Sequence, residues 1–315
     1  MLTYSDKQVI MMLYATRKPF SLARTNAPGF YPAYLSFQYG IRDPFDFHMD
    51  LMSEGYYEEA SVTDILNSLT LSRLKSLADG KCKKSGTKKE LIERILTVFS
   101  EDELRKMLPD DYFVLSEEAE GMLSKNSDFI LLHQNQTWMI SYNEYMIEKD
   151  SCPPDFSFRD VVWRIINKRI SYANPYSDYD VICDAYRALA DVTLKLDHSE
   201  GTAVSLTMTT VLFEMCRGVN DLLRCQVFGY PLSDANDIPF CFPPHGIKFL
   251  QDNSDIVSHL RFDKTIKPMV YKRVFTEDDF VLLKNDLSQE AFDSKKWIQI
   301  CEQKTDVFRK TISLV

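Results

Sequence analysis

Five lysines fall within nine positions, Lys81, Lys83, Lys84, Lys88 and Lys89, with Arg73 and Arg94 on either side. Clustered ammonium and guanidinium groups neutralise phosphate, so the chemistry they suit is contact with a nucleic-acid backbone. Over residues 69–96, eight basic residues stand against three acidic ones, a net +5; the whole chain carries −9, which leaves −14 for the remainder. The cluster runs into Thr87-Lys88-Lys89-Glu90, which has capping-box spacing: the Thr87 hydroxyl accepts from the Glu90 amide while the Glu90 carboxylate reaches back. Free amides and the dipole at such a helix start favour an anion, and neighbouring lysines add to that. The candidate phosphate contacts are therefore Arg73, Lys81, Lys83, Lys84, Thr87, Lys88, Lys89 and Arg94. The competing reading is a lysine-rich turn that is merely solvated.

Catalytic patterns are weaker. The sequence holds no P-loop, no GxGxxG, no GxSxG, no HExxH and no zinc-type Cys/His pairing. Glu302-Gln303-Lys304 matches the ExK half of a metal-dependent nuclease motif, but its surroundings read as an amphipathic helix where a strand is needed, without a convincing upstream aspartate. Asp180, Asp184 and Asp191 fall in one helix and Glu214 in the next, a set that could hold a divalent ion; solvated acids are the simpler reading. His245 and Cys241 are close in sequence, but spacing alone does not make a dyad. The expectation is a protein that is not an enzyme, with no cofactor and no metal.

The elements that must position the lysines are short helices. Leu71, Leu74 and Leu77 repeat at helical spacing over 71–78, and Gly80 ends that helix. Leu91, Ile92 and Ile95 give a second helix over 88–98 facing the first, and a third follows at 101–107. Upstream, twelve of the 39 aromatic residues lie within 1–60, among them Phe30, Tyr31, Tyr34, Phe37 and Tyr39. They suit an internal clamp, or less readily a platform for exposed bases. Asp43-Pro44 starts a helix to about Ser53, and Gly55 sits where a left-handed residue would follow it. Residues 111–125 read as a strand and then a helix capped by Ser116, and 128–133 and 137–141 as short strands.

Cys152-Pro153-Pro154-Asp155 is the best linker. Beyond it the pattern is helical. Phe158, Val161, Val162, Ile165, Ile166 and Ile170 form one stripe, followed by helices at Tyr179–Leu196 and Ala203–Val219. An irregular segment over 226–262 contains Pro231, Pro239, Pro243 and Pro244. Thr276 caps a helix to about Leu283, and Ser288–Ile312 reads as one long amphipathic helix.

The phrase LTLSRLKSLADGKCKKSGTKKELIERIL, residues 69–96, resembles the SAP motif, a helix–loop–helix DNA-binding family of about 35 residues. The likeness rests on Leu71, Leu74 and Leu77, the Gly86/Lys88 step and Leu91–Ile95, and covers about a tenth of the chain. It implies that Lys84, Lys88 and Lys89 contact phosphate. One position departs: the loop DGKCKK has no usual hydrophobic residue before Ser85-Gly86. The flanks, Phe45–Ser53 running into Tyr56-Tyr57 and then YFVLSEEAEGML from Tyr112, resemble phrases of winged-helix proteins, which would make the SAP-like unit an insertion. The combination is similar to SAP-containing proteins of phages and prophages in Gram-positive bacteria, which implies a mobile-element origin.

The expected fold is mainly α with minor β: a winged-helix-like N-terminal region over 1–60 and 109–150, a SAP-like unit at 61–108, and a helical domain at 155–315. With 45% hydrophobic, 26% charged and 12% aromatic residues, the chain can build real cores. Its net acidity excludes a protein that coats DNA over its whole surface. Seven scattered cysteines with no CxxC suggest reduced thiols and a cytoplasmic location, and no apolar run suggests a membrane span. The expected function is a nucleic-acid-binding adaptor that contacts DNA non-specifically and uses its acidic helical half to bind a host protein or a second copy of itself. The alternatives are a phage-type inhibitor of a host defence or transcription complex, and a metal-dependent nuclease.

Overall fold

Thr3 and Asp6 cap each other's amides and start α1 (Tyr4–Ala15). The chain then forms β1 (Phe20–Ser21), the single turn α2 (Tyr34–Phe37), and α3 (Pro44–Ser53), where the Asp43 carboxylate accepts from the amides of Phe45 and Asp46 and Pro44 takes the first helical position. Gly55, at φ 86°, turns the chain into β2 (Tyr57–Glu59). The computed structural model describes residues 2–108, 111–173, 178–228, 244–265, 275–289 and 292–312. It is mainly helical with one small sheet, and it divides into two compact units, Met1–Gln134 and Asn135–Val315.

In the first unit the chain leaves the sheet after β2, builds four short helices, and returns as β3 (Tyr112–Leu115), followed by α8 (Glu117–Lys125) and α9 (Ser127–Gln134). The four are α4 (Val62–Ser68), α5 (Leu71–Leu77), α6 (Lys88–Val98) and α7 (Glu101–Met107). β3 is the central strand, antiparallel to both neighbours, with Phe20 opposite Phe113 and Tyr57 opposite Leu115. The order is helix, strand, two helices, then two strands with the connection between those last two expanded into helices. The inserted helices have their own core, in which Leu66, Leu74, Leu91, Ile95 and Leu104 are fully buried. α4 is an addition to the expected helices and starts at a capping box formed by Ser61 and Asp64.

The aromatic leader is an internal clamp over most of its length. The Tyr39 hydroxyl lies 2.9 Å from His133 Nδ1, and the Tyr31 hydroxyl 2.9 Å from His48 Nδ1. His48 is fully buried against the rings of Phe20 and Tyr57, at centroid distances of 4.8 and 4.7 Å. That burial pulls its pKa down to about 4. The unfolded chain protonates this histidine near pH 6.5 and the folded chain only near 4, so the unfolded state binds more protons between those values. Stability therefore falls as pH drops through that window, by up to about 3 kcal/mol. His48→Gln, which keeps an acceptor but cannot titrate, is expected to flatten the Tm-against-pH curve between pH 6.5 and 4; an unchanged slope would place the effect elsewhere.

The expected strand at 128–133 is instead part of α9, with Phe129, Ile130 and Leu132 buried. A short apolar run looks the same for a buried strand and a buried helix, and the Asn126 side chain, bonded to the Met122 carbonyl, lets a new helix follow α8 at once.

The second unit begins with a 3₁₀ turn at Gln136–Trp138, where a strand over 137–141 was expected. Met139 closes that turn at φ 56°, and the Trp138 indole N–H donates to Asp191 at 2.8 Å. The unit continues with α10 (Tyr142–Asp150), α11 (Phe158–Tyr172), α12 (Tyr179–Leu196) and α13 (Glu200–Phe228). Then come α14 (Pro244–Asp252), α15 (Ser254–Ser258), α16 (Phe262–Thr265), α17 (Glu277–Ser288) and α18 (Ser294–Ile312). Cys152-Pro153-Pro154 is not the division between units. It is a loop within the second one, since α10 packs on α11 across it and 135–150 belong there. Nor is Ser288–Ile312 one helix: α17 runs on to Ser288, and α18 starts afresh at Ser294 so that the Trp297 indole can donate to Asp286 at 3.0 Å. Among the described residues no helix is long and apolar enough to cross a membrane, and Cys82, Cys152, Cys183, Cys216 and Cys301 are free thiols.

Candidate nucleic-acid interface

Thr70 caps α5 and Gly80, at φ 71°, ends it. Thr87 opens α6 with both halves of the capping box in place: the Thr87 amide donates to Glu90 Oε2 at 3.0 Å and the Glu90 amide to Thr87 Oγ1 at 3.3 Å. The loop between them, 80–86, carries Lys81, Lys83 and Lys84. Its hydrophobic anchor is Cys82, half-buried against the helical core.

Arg94 is the main clamp on this loop. Its guanidinium donates to the carbonyls of Lys83 and Ser85, both at 2.5 Å, and to its own helix at Glu90 O at 2.9 Å. Three of its five N–H donors are engaged with backbone, so Arg94, expected as a phosphate contact, holds the loop in shape. Gly86 completes the turn at φ 111°. A Cβ there would lie 2.2 Å from Glu90 Oε2 and 2.8 Å from Arg94 Nη2. Gly86→Ala is therefore expected to push Glu90 out of its cap and to cost about 2 kcal/mol from backbone strain and cap disruption together, measured by urea unfolding; a cost below ~0.5 kcal/mol would mean the turn is not held in this form.

The other cations divide into two groups. Lys88 Nζ donates to the Asn67 carbonyl at the end of α4 at 2.6 Å, which ties α6 to α4. Lys84 pairs with Asp79 at 2.5 Å, and this holds the Asp79 carboxyl below its ordinary range. Both partners are exposed, and such a pair is worth little and exchanges readily for phosphate. The Thr87 oxygen is engaged in the cap, which leaves its proton to donate. Lys81 sits 5.9 Å from the centre of the Phe99 ring. Arg73, Lys83 and Lys89 are exposed and have no ion pair among the described residues. The sequence reading missed Phe99 and Met107, which with Arg73, Leu77 and Lys81 wall an open groove of about 470 Å³. No sequence pattern marks it, because the 39% exposure of Met107 at the end of α7 is set by tertiary packing.

α3 is acidic on its exposed side. Its exposed residues include Asp46 and Asp50, with Asp43 and Glu54 exposed at its ends. A helix with that face is repelled by a phosphate groove.

The other chemical candidates resolve into ion pairs. Lys304 of the ExK phrase meets Asp279, whose carboxylate already caps α17 through Thr276. Asp180 pairs with Arg217, Asp184 with Arg187, and Asp191 with Lys195, while Glu214 is buried between Arg187 at 3.0 Å and Arg217 at 2.9 Å. Burial raises the Glu214 pKa against the pull of those arginines. Arginines thus sit where an ion would need to be, and among the described residues no group of three or more His, Cys, Asp or Glu side chains could hold a metal. His245 is exposed at the start of α14, and Cys241 lies outside the described residues. No protein-family model matches the chain, and no curated protein or solved structure is significantly similar to it.

Proposed function

We propose that this chain is a nucleic-acid-binding adaptor. The SAP-like inserted unit docks on phosphate, and the acidic second unit, Asn135–Val315, binds a protein partner or a second copy. The observation that carries the reading is a loop–helix start that presents Lys83, Lys84 and Lys89 to solvent while Arg94, Lys88 and Gly86 hold it in shape. Exposed cations on a preordered backbone give salt-sensitive, sequence-independent binding, with Kd roughly 10⁻⁴–10⁻⁶ M at physiological salt. The half-exposed to exposed Tyr172 and Val181, which share a groove of about 400 Å³ with Ile165, support a contact role for the second unit.

Fluorescence anisotropy with labelled duplex DNA, at low and near-physiological salt, tests the nucleic-acid half. Binding that weakens steeply with salt supports it, and no binding at low salt removes it. The acidic face of α3 favours a second reading, an inhibitor that occupies a basic, nucleic-acid-binding face of a host protein. Capture of a defined basic partner that survives nuclease treatment would favour that reading; loss of capture after nuclease returns to the first.

A further inference from the structure

The groove beside the lysine loop has a chemistry of its own. Its wall is apolar, formed by the half-buried Phe99 ring, the exposed Met107 thioether and Leu77 at the end of α5. Its rim is cationic. Arg73 is exposed and has no ion pair among the described residues, and the Lys81 ammonium lies 5.9 Å from the Phe99 ring centre. One acid, Asp79, lines the groove itself and is paired with Lys84 at 2.5 Å; Glu103, close by, accepts from the amide and hydroxyl of Ser100 at 2.8 and 2.9 Å. At about 470 Å³ the groove is within the size range of small-molecule sites, roughly 300–1,000 Å³.

We infer that this groove takes one unpaired nucleobase, so that the inserted unit binds single-stranded or unpaired nucleic acid in preference to an intact duplex. The inference rests on the phosphate-binding reading above. An aromatic wall flanked by cations is the arrangement that single-strand binding uses: the ring meets the face of a base, and the cations meet the phosphates on either side. In a duplex the base faces are stacked on one another and cannot reach such a wall. Arg73 and Lys81 serve the flanking phosphates of the same strand that Lys83 and Lys89 follow.

The test uses the full chain and four labelled probes of equal length: a deoxy single strand, the corresponding ribo strand, a strand of abasic tetrahydrofuran residues with the same phosphates, and a duplex. The base-bearing strands are expected to bind roughly tenfold more tightly than the abasic strand, and whichever of the deoxy and ribo strands binds more tightly names the nucleic acid. Phe99→Leu, which preserves the contact with the helical core, and Met107→Gln, an uncharged change at an exposed position, are each expected to remove most of that preference and leave the salt slope unchanged. Thermal unfolding of both variants checks that they fold. Equal binding of the base-bearing and abasic strands overturns the inference, as does a preference that survives both substitutions. If duplex is bound but base and abasic strands are equivalent, the groove assignment alone fails. If no probe binds at low salt, the phosphate reading fails and takes the groove with it.

Discussion

Replacing Lys83, Lys84 and Lys89 together with glutamate is expected to weaken binding of duplex DNA by roughly 100-fold at low salt and to reduce the slope of log K against log[salt] by about 3, near 0.9 for each phosphate that is no longer neutralised. Stability should stay within about 0.5 kcal/mol, because all three side chains are exposed. Among the described residues the Lys84–Asp79 pair is the one ion pair broken, and exposed pairs contribute little. Glutamate at position 89 lies in the first turn of α6, where negative charge suits the helix dipole. Lys88 and Arg94 are left alone because both hold the fold, through Asn67 and the loop carbonyls. Unchanged affinity at equal salt, in a variant that unfolds normally, would remove this surface from the binding site.

Leu91→Ala is the complementary experiment, since it leaves every cation in place and removes the scaffold. Leu91 is fully buried among Leu74, Ile95 and Leu104. Truncation there deletes buried methyl groups and leaves a cavity in a core made of short helices, at an expected cost of about 3 kcal/mol within the 2–5 range for such changes. Urea unfolding followed by circular dichroism should show the inserted helices melting at lower denaturant. Trp138, Trp163 and Trp297 all lie in the second unit, so tryptophan fluorescence separately reports whether that unit is folded. DNA binding should fall in proportion to the unfolded fraction of the inserted unit and recover at lower temperature. A cost below ~1 kcal/mol would mean that Leu91 is not a core residue and that the helix pair is packed in another way.

Much of the candidate site is legible in the sequence. The capping box at Thr87 and Glu90, the stop at Gly80 and the Leu71, Leu74, Leu77 stripe are local signals, because caps and helical faces involve residues three or four apart. α5, α6 and α7 follow from them nearly residue for residue. The partners of each cation are not legible there. Lys88 and Asn67 are 21 positions apart, and Arg94 reaches 11 back to Lys83; both choices depend on how two helices and a loop come together, which no periodicity encodes.

The same division runs through the whole chain. By itself the sequence determined that the protein is mainly helical, where about half of its helices start, that Pro44 and Gly55 bound α3, and that positive charge is concentrated in 69–96 against an acidic remainder. Those properties reside in composition and in neighbours within one or two turns. Only the tertiary structure decided that β3 pairs with strands more than 50 and 90 residues before it, as Tyr57 with Leu115 and Phe20 with Phe113. It also made DFILLH a helix, matched Asp180, Asp184 and Glu214 with arginines, and set Phe99 and Met107 beside Arg73. Strand pairing and ion pairing are long-range choices. Each is settled by which apolar faces can be buried together, and the polar groups then take the partners that burial brings within reach.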